Sequence, residues 1–422
     1  MKVLIISQNP FSSAGNNGKT LESIFKCFKK DDLAQLFFNG YERPDFDYCG
    51  NYFRISEQDV LLHAFDKDQV GHKCEMEDAN YEETKRSFRF RALSHFFWSF
   101  GRWKSKGLIR WVSDFNPDVF FFVGGNVPYA HDVSIFLSEY FHRPLASYFT
   151  DDYVIYPEPK SMRDRIRLAA LRKKYRKTIS HSGLCFAICE EMSREYGKYF
   201  GKEFFPIMNI IDRPEDTSRV QRDLIPDQKN YISYYGSLYY ERWKMVADFA
   251  HLVRLTDEKD GCVGKHVVRL FTTSKIDDGQ KRYLVEAGVL ICDPVFGDSL
   301  AESMRESAYL LHVESDDAYY RSKTRLSVST KIPEYLFSGR CTIAYGPLEV
   351  ASMKLLLDNR LACVISSEWP RTECLAVLGN LFHNRNQYDQ ITERAQAYSQ
   401  NKFNAKKIRE EFYERLSSMT EG

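Results

Sequence analysis

The sequence predicts an α/β protein built from two successive parallel sheets. Three observations carry this expectation. Short apolar runs recur along the whole 422-residue chain, and segments with helical spacing separate them. A polar stretch at 214–230 (PEDTSRVQRDLIPDQKN), with two prolines and little apolar periodicity, interrupts the alternation near the middle and reads as a linker. The alternation then restarts, and strands that alternate with helices pair in parallel.

Taken in order, KVLIIS (2–7) is a buried strand and SSAGNNGKTL (12–21) the glycine-bearing stretch after it. TLESIFKCFKK follows with Leu21, Ile24, Phe25 and Phe28 on one helical stripe. LAQLFFN, NPDVFFFVGG (116–125), RPLASYFTDDY and GLCFAIC are further strands. VSIFLSEYF and EEMSREYGKYFG are helices between and after them. Beyond the linker, YISYYGS, HVVRLFTTS, GVLICDPV, AYLLHVES, RCTIAYG and ACVISS are six strand candidates. NKFNAKKIREEFYERLSSM closes the chain as an amphipathic helix. Strand, glycine loop and helix open the chain as a Rossmann-like unit, and two successive α/β sheets suggest two such domains with a ligand-binding cleft between them at the strands' carboxyl ends.

Hydrophobic residues make up 43% and charged residues 28% of the chain, a globular balance, and the net charge of +1 argues against a global attraction to nucleic acid. Ten cysteines are scattered without a C-x2-C pair. Cys185 and Cys189 lie four apart, with no second pair to complete a zinc site. Reduced, buried thiols in a cytoplasmic protein are the expectation. MKVLIISQNP is too short in its apolar part for a signal peptide, and no apolar run approaches the ~18 residues of a membrane span.

Gly18, Lys19 and Thr20 match the end of the G-x-x-x-x-G-K-[ST] phosphate loop, but Ser13 stands where its first glycine belongs. Five residues, Gln8 to Ser12, also intervene after the strand. A P-loop NTPase is one alternative reading. A non-catalytic module binding nucleic acid or membrane is another.

The most informative segment is STKIPEYLFSGRCTIAYGPLEVAS (329–352), read as loop, helix, glycine turn, strand and Gly-Pro loop. Lys331 and Glu334 fall near the start of its first helix, where the N-terminus attracts phosphate and a glutamate can clasp ribose hydroxyls; a solvated helix pair is the plainer reading. This segment resembles the carboxyl-terminal domain of GT-B glycosyltransferases of the group 1, family 4-like kind, in which E-x7-E precedes small residues and glycine. Glu334-Tyr335-Leu336-Phe337-Ser338-Gly339 is similar to the second glutamate and its tail, and Leu326 stands where the first glutamate would fall. Glu314, ending AYLLHVES, could supply a carboxylate instead. YYGSLYYERWK (234–244) is similar to the family's glycine turn: Gly236 would admit the diphosphate, and Arg242 and Lys244 would neutralise the charge that grows on it. Gly15 and Gly18 match the family's first glycine loop, and Gly346 belongs to the donor-binding set. The resemblance implies a hexosyl transfer (EC 2.4) from a UDP- or GDP-sugar to a glycan or lipid-linked acceptor in surface polysaccharide assembly. It implies retention of configuration, no metal and no further cofactor. The domains would run 1–213 for the acceptor, 214–229 as linker and 230–395 for the donor, with a helix in 396–422 returning to the first domain.

On the acceptor side, Asp151 and Asp152 end a strand in TDDY, where a carboxylate orients or deprotonates a hydroxyl, or merely turns the chain. Gly124, Gly125 and Asn126 end another strand. His131 and His181 have no assigned role. Residues 85–111 carry eight Lys/Arg, three tryptophans and no acid; residues 160–177 carry nine Lys/Arg and Asp164. Cations interleaved with aromatics suit peripheral contact with an anionic membrane, or single-stranded nucleic acid, or are solvated helix faces. With a lipid-linked acceptor the membrane reading is favoured, and no nucleic acid is expected.

Overall fold

The computed structural model describes residues 1–11, 16–39, 43–63, 65–76, 97–208, 210 and 230–421. The chain divides into two units, each packed around its own sheet. The first holds Met1–Ile210 and Ala405–Gly422, and the second Ile211–Asn404. The predicted linker, Gly15, and residues 85–96 of the first basic stretch lie outside the described residues.

The first unit contains an eight-stranded sheet. Its strands are β1 (Val3–Ser7), β2 (Leu33–Phe37), β3 (Tyr52–Arg54), β4 (His72–Cys74), β5 (Val119–Gly124), β6 (Leu145–Phe149), β7 (Leu184–Ala187) and β8 (Phe205–Pro206), in the spatial order β4-β3-β2-β1-β5-β6-β7-β8. All neighbours are parallel except β3 and β4. Strand order reverses between β1 and β5, so the carboxyl ends of these two strands mark the crevice where ligands bind in such sheets. The uninterrupted apolar runs follow from burial on both faces: Leu4, Ile5, Ile6, Phe120, Phe121 and Phe122 are all inaccessible to solvent.

The closing helix Ala405–Ser418 belongs to this first unit. Its Phe412 packs edge-on against Phe25, Phe121 and Phe186, with ring centroids 5.2, 5.6 and 5.5 Å away. Such contacts add about 0.5–1.5 kcal/mol each to area burial, which explains why the amphipathic end of the chain docks here.

The second unit holds a six-stranded, all-parallel sheet of β9 (Asn230–Tyr235), β10 (His266–Phe271), β11 (Leu290–Cys292), β12 (Tyr309–Val313), β13 (Cys341–Gly346) and β14 (Cys363–Ser366). The order is β11-β10-β9-β12-β13-β14, so the switch point falls between β9 and β12. Two α/β sheets and their interleaved helices are the architecture the sequence predicts. Each of the six strand candidates beyond the linker forms one strand.

Candidate functional site

At the switch point of the second sheet, β9 runs out into Gly236-Ser237-Leu238-Tyr239-Tyr240-Glu241, which leads into the 18-residue helix Arg242–Lys259. Gly236 is hemmed in by its own strand: a Cβ there would meet the Tyr234 hydroxyl at 3.1 Å. Tyr240 (φ 61°) and Glu241 (φ 59°) are consecutive non-glycine residues in the left-handed region. That conformation costs about 1–2 kcal/mol per residue, and such strain collects at ligand clamps.

The loop delivers Arg242 to the end of β12. Its Nη2 donates to Glu314 Oε2 at 2.8 Å, with the two side chains 18% and 2% exposed. His312 Nε2 lies 3.3 Å from the other carboxylate oxygen of Glu314. Burial alone would raise the Glu314 pKa, but Arg242 and then His312 outweigh it and hold it down at about 2. Burial alone would likewise lower that of Arg242, but Glu314 raises it instead. Both groups are therefore charged. Gly346, ending β13 with φ +155°, packs directly on this carboxylate's backbone: a Cβ would stand 2.9 Å from Glu314 O and 3.1 Å from Glu314 Cβ. A side chain at 346 would push Glu314 off Arg242.

This changes the roles assigned from sequence. Arg242, expected to neutralise the diphosphate, is ion-paired with Glu314. A surface ion pair is worth about 0–1 kcal/mol and exchanges easily, whereas removing one partner of a buried pair costs several. The exchangeable cations are Lys244, exposed and 2.8 Å from Glu241 Oε2, and Lys331, half-buried and 3.0 Å from Glu334 Oε2. Lys331 is not inside a long helix. It precedes Ile332–Phe337, only six residues, so the expected pull of the helix terminus is small and the lysine's own charge must act. Tyr335 fixes this short helix to β9: its hydroxyl accepts from Tyr235 N at 3.0 Å and donates to Tyr235 O at 3.3 Å. Glu334 thus stands near the switch point on a braced element. Leu326 is a buried core residue, so no carboxylate occupies the position of the first motif glutamate.

In the first unit, Gln35 is a buried bracing residue that sequence reading passed over. It is fully buried in β2; its Nε2 donates to Ser7 Oγ (2.8 Å) and its Oε1 accepts from Phe11 N (2.8 Å). It thereby shapes the loop that leaves β1 at the switch point. The lone amide within LAQLFF was the available signal. Gly18, expected in a loop over phosphates, lies inside the helix Asn16–Phe25. Gly124 ends β5 and Gly125 follows it. The Gly125 carbonyl accepts from Tyr175 Oη at 3.2 Å and lies 3.3 Å from His131 Nε2, while His131 Nδ1 lies 2.9 Å from Thr178 Oγ1. A carbonyl only accepts, so the neutral ring carries its proton on Nε2 and Thr178 donates to Nδ1. Burial drives the His131 pKa down to about 4. His131 is a structural brace beneath the glycines. His181 lies 3.2 Å, through Nε2, from Ser138 Oγ.

Asp151 and Asp152 separate cleanly. Asp152 is buried, and its oxygens accept from Val154 N (3.0 Å), Ile155 N (2.9 Å), Tyr156 N (2.8 Å) and Tyr196 Oη (2.9 Å). Its lone pairs are spent on the loop, so the expected catalytic role does not fit it. Asp151 is half-buried, with Tyr153 Oη 3.4 Å from Oδ2, and is the carboxylate this rigid loop presents.

The second basic stretch forms the helix Met162–His181, on which Met162 (69%) and Ile166 (66%) are exposed among Arg163, Arg165 and Arg167. Among the described residues, no helix is long and apolar enough to cross a membrane, and no group of three or more His, Cys, Asp or Glu is placed to hold a metal ion.

No protein-family model matches this sequence, and no curated protein matches it either. Solved structures do. The chain is similar to α,α-trehalose 6-phosphate synthase from Burkholderia multivorans at 10% identity, with a TM-score of 0.61 over 99% of this chain and 98% of that one. It is similar to the E. coli trehalose-6-phosphate enzyme bound with UDP-2-fluoro glucose at 11% identity, TM-score 0.58, over 100% and 99% of the two chains. It is also similar to WaaG, a glycosyltransferase involved in lipopolysaccharide biosynthesis, at 11% identity, TM-score 0.56, over 95% of each chain. These neighbours are GT-B glycosyltransferases, and the fold of this chain is the GT-B fold.

Proposed function

We propose that the chain is a glycosyltransferase that moves a hexose from a UDP- or GDP-sugar to a glycan or lipid-linked acceptor, with retention and without a metal, in surface polysaccharide assembly. The observation that carries the reading is the constellation at the second switch point. Gly346 packs on the locked Arg242–Glu314 pair, Lys244 follows Arg242 on the same helix, and Tyr335 ties the short helix of Glu334 to Tyr235, next to Gly236, with Lys244 and Lys331 held only by exchangeable surface pairs. A nucleoside diphosphate suits that set. Its phosphates replace the carboxylates on the two lysines, and Glu334, once freed from Lys331, accepts from the ribose hydroxyls. As the sugar–phosphate bond breaks, charge grows on the leaving phosphate, and preorganised cations stabilise it. The neighbours support this reading: one holds UDP-2-fluoro glucose and another is involved in lipopolysaccharide biosynthesis.

The first unit would take the acceptor, with Asp151 accepting a proton or hydrogen bond from its hydroxyl. The Met162–His181 helix supports a peripheral contact with anionic lipid, its arginines on the headgroups and Met162 and Ile166 below them. Cosedimentation with anionic vesicles, reversed by salt, is expected; equal partition to neutral vesicles would remove the membrane from the proposal.

The deciding experiment is a thermal-shift panel of UDP, GDP, ADP, CMP, their common sugars, and ATP with and without magnesium. Stabilisation by one nucleoside diphosphate and its sugars without magnesium supports the transferase. Stabilisation by magnesium–ATP alone would return the reading to an NTPase.

A further inference from the structure

Beside the switch point of the second unit, the rings of Tyr240, Tyr319 and Tyr320 meet after the ends of β9 and β12, and Tyr239 precedes Tyr240 in the chain. Tyr239 and Tyr240 come from the strained loop after β9 and are 71% and 40% exposed. Tyr319 and Tyr320 come from the helix Ala318–Thr324 after β12. The Tyr240 and Tyr320 rings lie 5.5 Å apart, inclined at 45°, and Tyr319 lies 5.4 Å from Tyr320. Arg242 lies 5.7 Å from the Tyr240 ring centre, and Lys323 Nζ sits 4.1 Å over that of Tyr319.

The cluster is held from several sides. Asp317 Oδ1 caps the helix, accepting from Tyr319 N at 3.0 Å and Tyr320 N at 3.1 Å. Arg321 ties the same helix to Glu349 (3.2 Å) and Glu368 (2.6 Å). On the other side, the left-handed pair Tyr240–Glu241 holds the Tyr240 ring toward Tyr320 instead of letting the loop relax. Among the described residues, the hydroxyls of Tyr239, Tyr240 and Tyr320 make no hydrogen bond. The exposed ring of Tyr240, the half-buried ring of Tyr320, a braced backbone and idle hydroxyls describe a surface prepared for a ligand rather than for the core.

We infer that Tyr240 and Tyr320 form a shelf that receives a pyranose ring. This deepens the proposed transferase reading and rests on it for the identity of the neighbouring donor site. Two rings inclined at 45° make a bent platform. A puckered pyranose lays C–H bonds against both rings, whereas a flat nucleobase could stack on only one. The polar rim also suits a sugar. Asp316 is exposed on the stretch that leads into the helix of Tyr319 and Tyr320, Glu241 follows Tyr240 in the chain, and Lys244 reaches Glu241 at 2.8 Å. Carboxylates accept from sugar hydroxyls, and two of them beside a stacked uracil would repel its carbonyls. The sugar has two possible sources, the transferred hexose of the donor and a hexose of the acceptor glycan.

The test uses the full chain with Tyr240→Ala, Tyr320→Ala, Tyr240→Phe and Tyr320→Phe, each checked for an unchanged melting temperature. Calorimetric titration with UDP, GDP, UDP-glucose, GDP-mannose and maltotriose separates the sources. The alanine variants are expected to bind the bare nucleoside diphosphate as wild type does and a sugar-bearing probe about tenfold more weakly, the loss of one aromatic contact. The phenylalanine variants should keep most of the affinity. Loss confined to the nucleotide-sugar assigns the shelf to the donor hexose, and loss of maltotriose assigns it to the acceptor. Folded alanine variants that bind every sugar-bearing probe like wild type would overturn the shelf while leaving the transferase reading intact. If wild type binds no nucleotide, the transferase reading fails instead. The shelf is then judged on maltotriose: weaker binding by the alanine variants upholds it, and no binding by wild type overturns it.

Discussion

Arg242, on the first turn of one helix, donates to Glu314, at the end of a strand 72 residues away, across 2.8 Å. The pair spans the switch point of the second sheet and is too buried to be exchanged for substrate. Arg242→Met leaves the buried carboxylate with only His312 beside it, and a loss of about 3–5 kcal/mol in denaturant unfolding is expected. The double variant Arg242→Met/Glu314→Leu removes both charges and should recover most of that loss. Additive losses would show that the two residues are not coupled. The pH dependence has a defined sign. The folded pKa of Glu314, about 2, lies below its ordinary 4.5. Its contribution is present above pH 4.5 and is lost as pH falls toward 2.

Asp151 and Asp152 are adjacent in sequence and opposite in role. Asp152→Asn replaces a charged acceptor of four hydrogen bonds by an amide with one acceptor oxygen. It should destabilise the chain by about 1–3 kcal/mol, read by thermal or denaturant melting. Asp151→Asn should melt like wild type and lower turnover once a donor is known. Normal turnover in Asp151→Asn would remove the acceptor role.

What the sequence disclosed follows physical lines. Buried parallel strands are continuous apolar runs, so KVLIIS, VFFFVG and the strands of the second unit were readable, the partly exposed edge strand Leu290–Cys292 among them through its own apolar run. The short strands Tyr52–Arg54, His72–Cys74 and Phe205–Pro206 were not, because two or three residues carry no periodicity. Among site residues, type and neighbourhood were legible and partnership was not. GSLYYERWK showed Arg242 near a glycine turn, but nothing local indicates that its partner lies on another strand. TDDY could not say which aspartate turns inward, since that depends on Tyr196, a helix away. The clustering of Tyr240 with Tyr320 is likewise a property of strand order alone.

His131 is buried neutral, with its pKa held near 4 against an ordinary 6.5. The unfolded chain therefore binds a proton that the folded chain refuses between those values. Stability should be full above pH 6.5 and decline as pH falls toward 4, by about 3 kcal/mol from this group. His131→Gln should flatten that part of the unfolding profile relative to wild type, even with a lower plateau from imperfect packing. An identical slope in the variant would place the acid sensitivity elsewhere. His266 is also held below its ordinary value, by burial, and it limits how flat the profile becomes.

Lys331 and Glu334 pair 3.0 Å apart with about a third of each side chain exposed, so their mutual attraction is small and either can turn to a ligand. If a nucleoside diphosphate binds here, Lys331→Ala removes a charge-assisted bond to phosphate and should weaken nucleotide binding by about 1.5–3 kcal/mol, with little change in melting temperature. The loss should shrink at high salt, because a half-exposed lysine acts through a screened charge. Glu334→Ala should weaken nucleotides that carry ribose hydroxyls and spare inorganic pyrophosphate, which offers none. Glu334→Gln keeps one acceptor oxygen and should fall between. Calorimetric titration of UDP, its 2′,3′-dideoxy analogue and pyrophosphate against the three variants separates these effects. A Glu334→Ala chain that binds UDP like wild type would leave the ribose without its partner, while Lys331 could still be holding phosphate. Wild-type affinity in both single variants would move the donor away from the short helix altogether and toward Lys244.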